Sequence, residues 1–575
     1  MSRIRRIEIE NFRGIKKLCW LPSPGINCLI GPGDSGKSSI LDAIDLCLGA
    51  RRSFQVNDAD FFQLNVDRPI KIMITVGELD DALKSIDTYG LYVRNFDAAT
   101  GEVEDEPDKD GETVLTIQLV IESDLEPSWS LVSTRAVAQG VTRNLNWGDR
   151  VRLAPTHIGR MADFHLGWRK GSVLNKLTEE KTDASAALVK AARDARVAFG
   201  YEAQEKLKDT LDIVAATAKD LGIPIGNNIK AMLDAHSVSF SGGTISLHDE
   251  DGIPLKGLGI GSTRLLIAGL QKKAAEEGTM VLIDELEHGL EPHRIIRLIG
   301  SLGAKEAPAP LQVFMTTHSP VALRELSGKQ LFVTRRHPTQ HEVIEVGDQD
   351  GAQGAIRTFP EAFLAPNVII CEGASEVGLI RGLDQFRASL GLPSISALGT
   401  VLVDGGGASK IYHRNEAFAE LGYRTAVLRD DDLQPDPQKE AAFVAAGGKV
   451  VAWGAGRSLE DELFISLSED GAIKLLARAV ELHGEELVDA HIKSASNGAK
   501  TLSDIQFEPV FSGLAAESRV FLGKAARTKK AGWFKTVTWM EDVARDIVGP
   551  DLIAATPDFQ ARIAEIFDWA GDAGE

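Results

Sequence analysis

The sequence predicts an α/β multidomain chain: a P-loop domain with an antiparallel β lobe and a helical insertion, then a parallel-sheet domain, then a helical C-terminal region. Three observations predict it. A Gly-rich loop follows a short apolar strand near the start, a run of Ala, Lys, Glu and Leu at helical spacing interrupts a β-rich first half, and apolar strands alternate with helical stretches after residue 366. At 575 residues the chain exceeds what one domain holds at about 150 residues each. A hydrophobic fraction of 43% and a charged fraction of 25% exclude wholesale disorder. The net charge of -20 repels polyanions over most of the surface, so contact with one has to be local. No apolar run reaches the roughly 18 residues a membrane span needs, and the expectation is a cytoplasmic protein with no membrane partner. Cys19, Cys28, Cys47 and Cys371 lie scattered in apolar stretches without CxxC pairs and read as reduced core residues.

In chain order, 4–12 mixes charged and apolar residues at period two, as a half-exposed strand does, and 26–30 is a short buried strand running into Gly31. A helix is expected from Gly36. Segments 71–79, 112–122 and 128–134, rich in Val, Ile and Thr, predict antiparallel strands. The helical insertion, about 174–235, is almost free of Pro and Gly over its first 48 residues and suits packing or dimerisation. Strands return at 280–283, 312–316, 331–336 and 341–346, the last two as a hairpin, and the first domain closes near 346. The Gly- and Asp-containing stretch 347–366 reads as a linker. Strands at 368–371, 400–404, 425–430 and 449–453, with helices between, then predict a parallel sheet over 367–470, and 471–575 reads as mainly helical.

Gly31, Gly33, Asp34, Ser35, Gly36, Lys37 and Ser38 fall in a GxxxxGK[ST] loop between strand and helix, the context that gives the motif physical meaning. Glycines let backbone N–H groups curl around a phosphate, the helix N-terminus adds positive potential, Lys37 neutralises β- and γ-oxygens, and Ser38, followed by Ser39, can ligate Mg²⁺. Strand 280–283 ends in Asp284 and Glu285, which places one carboxylate on that metal and the next near an attacking water. His318, after another apolar strand, can reach a γ-phosphate.

Glu372 closes the strand 368–371, where ligands bind in open α/β sheets. Asp430 and Asp432 share a side of an extended segment while Asp431 points away, and 460–462 adds a third acidic cluster at a helix start. Three clusters at one sheet edge repel unless cations sit among them, which points to Mg²⁺ or Mn²⁺ and phosphodiester hydrolysis. From 521 to 535, Lys524, Arg527, Lys529, Lys530 and Lys535 form a basic patch without an acid, and Trp533 and Phe534 offer faces for packing or base stacking.

These motifs resemble the ABC-type ATPase heads of SMC, RecF and OLD (overcoming lysogenization defect) proteins, through Asn11-Phe12-Arg13-Gly14, the P-loop, Asp284-Glu285, a D-loop at 287–292 and His318 as H-loop. Residues 258–264 stand where a signature segment would. The second half resembles a Toprim domain at Glu372-Gly373 and Asp430-x-Asp432, and the combination is similar to the OLD nucleases, the Gabija nuclease subunit included. The resemblance implies that Glu376 and a member of the 460–462 cluster, Glu460 before Glu462 or Asp461, also bind metal, and that Lys535, in preference to Lys530, approaches the scissile phosphate. It further implies ATP, Mg²⁺ or Mn²⁺, DNA, a homo-oligomer of two or more copies and, for some members, a helicase partner. The expected activity is ATP-regulated DNA endonuclease in antiphage defence or DNA processing; the rival is a non-catalytic ATP-switched scaffold on DNA. A topoisomerase needs a nucleophilic tyrosine, and Tyr412 and Tyr423 both lie in stretches suited to core packing.

Overall fold

A computed structural model of the chain describes residues 2–106, 111–159, 162–166, 172–177, 183–220, 230–231, 247–274, 280–348, 350–528 and 531–572. The chain divides into two compact units. The first comprises 1–29, 36–325 and 336–342, and the second 30–35, 326–335 and 343–575.

In the first unit, strand Arg3–Phe12 buries Ile7 and Ile9 on one face and leaves Glu8 and Glu10 half-exposed on the other, the period-two pattern of a sheet with one packed side. It pairs antiparallel with Ile15–Trp20 and with Ile70–Gly77, which pairs in turn with Glu112–Ile121. Pro127–Leu131 flanks that last strand. The charges on the lobe are largely matched: Arg5 meets Glu112 at 2.7 Å and Arg94 meets Asp105 at 2.6 Å. Ile26–Ile30, Gln312–Thr316, Met280–Ile283 and Thr156–His157 follow as a parallel run, with no polar alternation in its central strands because both faces are covered. Helix Lys37–Leu48 buries Ile40, Leu41, Ile44 and Leu48. The predicted insertion contains the helices Asp183–Lys206 and Lys208–Asp220; its residues 178–182, 221–229 and 232–235 lie outside the described ones.

The second unit contains a four-stranded parallel sheet in the order Thr400–Asp404, Asn367–Cys371, Arg424–Arg429, Lys449–Ala452. Helices from Leu459 to Gly571 complete one core around Phe464, Trp533, Phe534, Phe559 and Phe567. Two expectations are corrected. Segment 347–366 is not a loose linker: within it Asp350–Thr358 is helical, burying Ala352, Ala355 and Ile356, and Pro360–Leu364 forms a 3₁₀ turn whose Phe363 ring packs 4.9 Å from that of Phe418. Cys19 is exposed on its strand, whereas Cys28, Cys47 and Cys371 are buried. Tyr412 and Tyr423 are core residues, the latter donating its hydroxyl to the Phe363 carbonyl at 2.6 Å. No helix among the described residues is long and apolar enough to cross a membrane.

Candidate functional site

The P-loop is left-handed where its glycines require it, with φ of +127° at Gly31 and +89° at Gly36, and Asp34 also adopts a positive φ of 57°. A Cβ at Gly36 would stand 3.4 Å from the His341 ring in a backbone conformation that side chains avoid, so the position admits glycine alone. Gly33 and Asp34 are exposed and Ser35 is buried. Lys37, 6% exposed, opens the helix Lys37–Leu48, with Ser38 exposed and Ser39 half-buried behind it. The helix presents its first N–H groups and positive end to the loop.

Ser38 donates to Asp284 Oδ1 at 3.0 Å, and Thr316, at the end of the neighbouring parallel strand, donates to the same oxygen at 2.6 Å. That arrangement holds the Asp284 carboxylate beside the residue expected to share its metal. The Glu285 N–H is fixed by Thr316 Oγ1 at 2.8 Å, and Glu285 sits exposed at a positive φ of 49°. His318 is exposed, and its backbone N–H donates to Glu287 Oε1 at 2.8 Å while Thr317 donates to the other oxygen at 2.6 Å. Sequence reasoning missed the parts played by Thr316 and Glu287; a hydroxyl ending an apolar strand and an acid in the following loop were the available signals. Segment 258–264 opens the helix Ile260–Lys273, from which the buried Arg264 donates to the carbonyls of His288 at 2.7 Å and of Glu285 and Ile158 at 3.2 Å each. Arg264→Met leaves those acceptors unpaired and is expected to cost about 3 kcal/mol. Thermal unfolding of the full chain measures this; a variant melting with the native protein would refute the anchoring role.

In the second unit, parallel register sets Cys371 beside Leu428 and Leu428 beside Val451, so the residues after these strands emerge at one edge. The Asp430 N–H accordingly donates to Glu372 Oε2 at 3.0 Å. Asp430 Oδ1 accepts the Leu459 N–H at 2.9 Å, bringing in the helix Leu459–Ser466, which Ser458 caps in a box with Asp461. Glu376 Oε2 accepts the Gly373 N–H at 2.8 Å at the start of Ala374–Ser389. Burial first, then the charges of Glu376, Glu460, Glu372 and Asp432, push the Asp430 carboxyl up to about 9. Burial and Glu460 push Glu376 up to about 8. Burial also raises Glu372 and Glu460, and for Glu460 the positive charge of Lys535 opposes the rise.

Glu372, Glu376, Asp430, Asp432 and Glu460 therefore interact, and exposed Lys535 acts on one of them across the sequence. Glu460 Oε1 is buried with no hydrogen-bond partner, the condition a cation-binding carboxylate shows before its ion is added. The donor set is all oxygen and fits Mg²⁺ or Mn²⁺. Among the described residues no three such side chains already stand as a closed metal cage; the oxygens are turned to backbone N–H groups instead.

Glu462, expected to bind metal after Glu460, is fully buried and accepts from the Gly454 N–H at 3.0 Å, Arg457 at 3.3 Å and Ser466 Oγ at 2.6 Å, so both its oxygens take part in local structure. Asp431 points elsewhere, accepting the Gly456 N–H at 2.8 Å. Trp533 and Phe534 are 0% exposed and cannot stack on bases; they anchor the segment that carries Lys535. Lys529 and Lys530 lie outside the described residues. Arg527, expected only as part of a basic patch, binds Asp432 at 2.9 Å and Asp461 at 3.4 Å. Its helix, Ala516–Ala526, approaches because Gly523 has no side chain: a Cβ there would lie 2.8 Å from Asp461 Cα.

Comparison with known proteins gives two family matches. Residues 26–324, just over half of the chain, match the family described as AAA domain, putative AbiEii toxin, Type IV TA system. Residues 363–432 match the overcoming lysogenization defect protein-like TOPRIM domain. Among curated proteins, the DNA replication and repair protein RecF of Chlorobium luteolum is 47% identical over 45 residues, 8% of this chain and 12% of that protein. RecF of Vibrio vulnificus is 52% identical over 52 residues, 9% of this chain and 14% of that one. The chain thus spans only a small part of the curated relatives it matches. Among solved structures, the Smc head domain with an extended coiled coil from Pyrococcus furiosus, bound to the C-terminal domain of ScpA, aligns with a TM-score of 0.32 at 14% identity, over 60% of this chain and 96% of that one.

Proposed function

Because the chain belongs to the AAA-type ATPase family matched over residues 26–324 and carries the OLD-like TOPRIM domain, the pairing of the OLD family, we propose that it is an ATP-binding, divalent-metal-dependent DNA endonuclease. One observation carries this reading: five carboxylates from distant parts of the chain interact at one sheet edge, with one buried oxygen of Glu460 left unpaired. Glu372, Glu376, Asp430, Asp432 and Glu460 hold the ions. Bound Mg²⁺ or Mn²⁺ supplies water activation and charge neutralisation at a scissile phosphodiester. Asp432, paired with Arg527, would serve as a further ligand of such an ion, and Lys535 would offer its ammonium to the charge that develops on the phosphate. At the nucleotide, Lys37 and the P-loop N–H groups cradle the phosphates, Ser38 and Asp284 hold Mg²⁺, Glu285 orients the hydrolytic water, and His318 reaches the γ-phosphate. The proposed assembly is a dimer or higher homo-oligomer and the proposed setting antiphage defence or DNA processing, in which a helicase is an optional further partner.

Supercoiled plasmid incubated with Mg²⁺ or Mn²⁺ tests the reading. Nicked product is expected; plasmid retained by the protein but never cut would favour an ATP-switched scaffold. Within the nuclease reading, Lys535→Ala is expected to slow nicking about 100-fold while Mn²⁺ binding by calorimetry stays within about twofold, since a phosphate-side cation stabilises charge that appears only in the reaction. Equal loss of metal binding would place Lys535 in the carboxylate framework instead.

A further inference from the structure

The antiparallel lobe of the first unit carries a cleft of about 580 Å³ that neither the nucleotide residues nor the carboxylates line. Lys16, Lys17, Arg68 and Lys71 border it, against Glu10 as the one lining carboxylate, so three positive charges are unmatched. The lobe pairs its other cations closely: Arg5 with Glu112, Arg6 with Glu8 at 2.9 Å, Arg13 with Asp60 at 3.0 Å and Arg94 with Asp105. Among the described residues, none of the four cleft cations has an ion pair or a side-chain hydrogen bond. In a chain of net charge -20, four such cations side by side are a local exception to the surface field.

The cleft is held in shape. Asn11, 7% exposed and at a positive φ of 56°, donates to the Asn65 carbonyl at 3.3 Å and to that of Arg68, fixing the loop that carries Arg68. The Arg13 N–H donates to the Asp60 carbonyl at 2.7 Å and pins the loop's other end. Glu10 stands in register with Lys17 on one side and Lys71 on the other, so these two lysines lie two strand spacings apart, about 10 Å. A row of cations across that width can meet successive phosphates of a chain.

We infer that this cleft binds the sugar–phosphate backbone of duplex DNA and tethers the substrate to the ATPase lobe. The choice of DNA rests on the proposed nuclease function; the recognition of a polyphosphate backbone rests on the cleft. Lys16 and Arg68 supply phosphate contacts from the two walls, and contacts of this kind are salt-dependent and indifferent to sequence.

The test is the binding of fluorescent duplex DNA to the full chain, by anisotropy in EDTA without nucleotide, across a range of salt concentrations. Lys16→Glu combined with Arg68→Glu is expected to weaken binding at least about tenfold and to reduce the slope of log affinity against log salt by about two. Lys16→Gln with Arg68→Gln is expected to lie between the two proteins, and it carries the test should the charge reversal fail to fold. Native affinity and slope in both double variants would overturn the inference. The outcome is separable from that of the nuclease: native protein that holds DNA through the cleft and cuts nothing with Mg²⁺ or Mn²⁺ sinks only the nuclease reading. Plasmid nicking together with undiminished duplex binding in the variants sinks only the tether.

Discussion

Asp430→Ala is expected to abolish plasmid nicking, by on the order of 10³-fold or more, because Asp430 is the residue on which the carboxylate cluster converges: its N–H meets Glu372, its side chain meets the Leu459 N–H, and the charges of four other acids act on it. Removing a metal-holding carboxylate gives up several kcal/mol of transition-state stabilisation, and each 1.36 kcal/mol is a factor of ten. Native rates in Asp430→Ala, measured as supercoiled plasmid consumed under Mn²⁺, would remove the site from the reaction. A pH dependence accompanies it. Asp430 and Glu376 have folded-state values raised to about 9 and about 8, against 3.8 and 4.5 when free. An acid raised in this way holds its proton in the metal-free fold and releases it on unfolding at neutral pH. Its contribution to stability is therefore complete below the free value and is lost as pH rises through the folded one. The EDTA-treated protein is expected to lose thermal stability most steeply between about pH 5 and 8, where both acids keep protons that the unfolded chain has released, and to level off above about pH 9; Asp430→Asn is expected to flatten that loss and Mn²⁺ to restore stability most at the alkaline end. A melting temperature independent of pH over that window would mean the carboxylates are not held together without metal.

Lys37→Ala is expected to lower ATP hydrolysis by on the order of 10³-fold and to weaken nucleotide binding, with no change in the melting behaviour of the carboxylate cluster. Lys37 opens its helix directly after a loop whose glycines at 31 and 36 are left-handed, the conformation that frees backbone N–H groups for a phosphate, and no other cation in the motif can replace it. The check is steady-state ATPase activity together with fluorescent-nucleotide binding. Asp284→Asn should follow it in activity with a smaller loss in binding, because Asp284 reaches the nucleotide through the metal that Ser38 shares, whereas Lys37 meets the phosphates directly. Hydrolysis surviving in Lys37→Ala would mean that the loop does not serve as the phosphate cradle.

Much of this was legible in the chain because the signals are local. A glycine that needs a positive φ, a lysine at a helix start and an acid at a strand end are properties of a few adjacent residues, and the predicted strands of the parallel sheet appear within a residue or two of their expected bounds. Where reasoning failed, the deciding neighbours were remote. Segment 347–366 looked like a linker from its Gly and Asp content, yet Ala352, Ala355 and Ile356 carry a helical spacing whose meaning depends on the core they meet. Trp533 and Phe534 offered aromatic faces in a basic context, and only the helices packed around them turn those faces inward.

By itself, then, the sequence determined the kinds of chemistry available: a phosphate loop with its paired acids, and three acidic clusters that had to meet cations or one another's repulsion. Tertiary structure decided which acids meet. Glu460 faces the cluster while Glu462, two residues away on the same helix, accepts from Gly454, Arg457 and Ser466, and Arg527 reaches Asp432 from 95 positions along the chain. The physical reason is that a carboxylate's role depends on what surrounds it within a few ångströms, and that is fixed by the packing of helices and strands that no local spacing specifies.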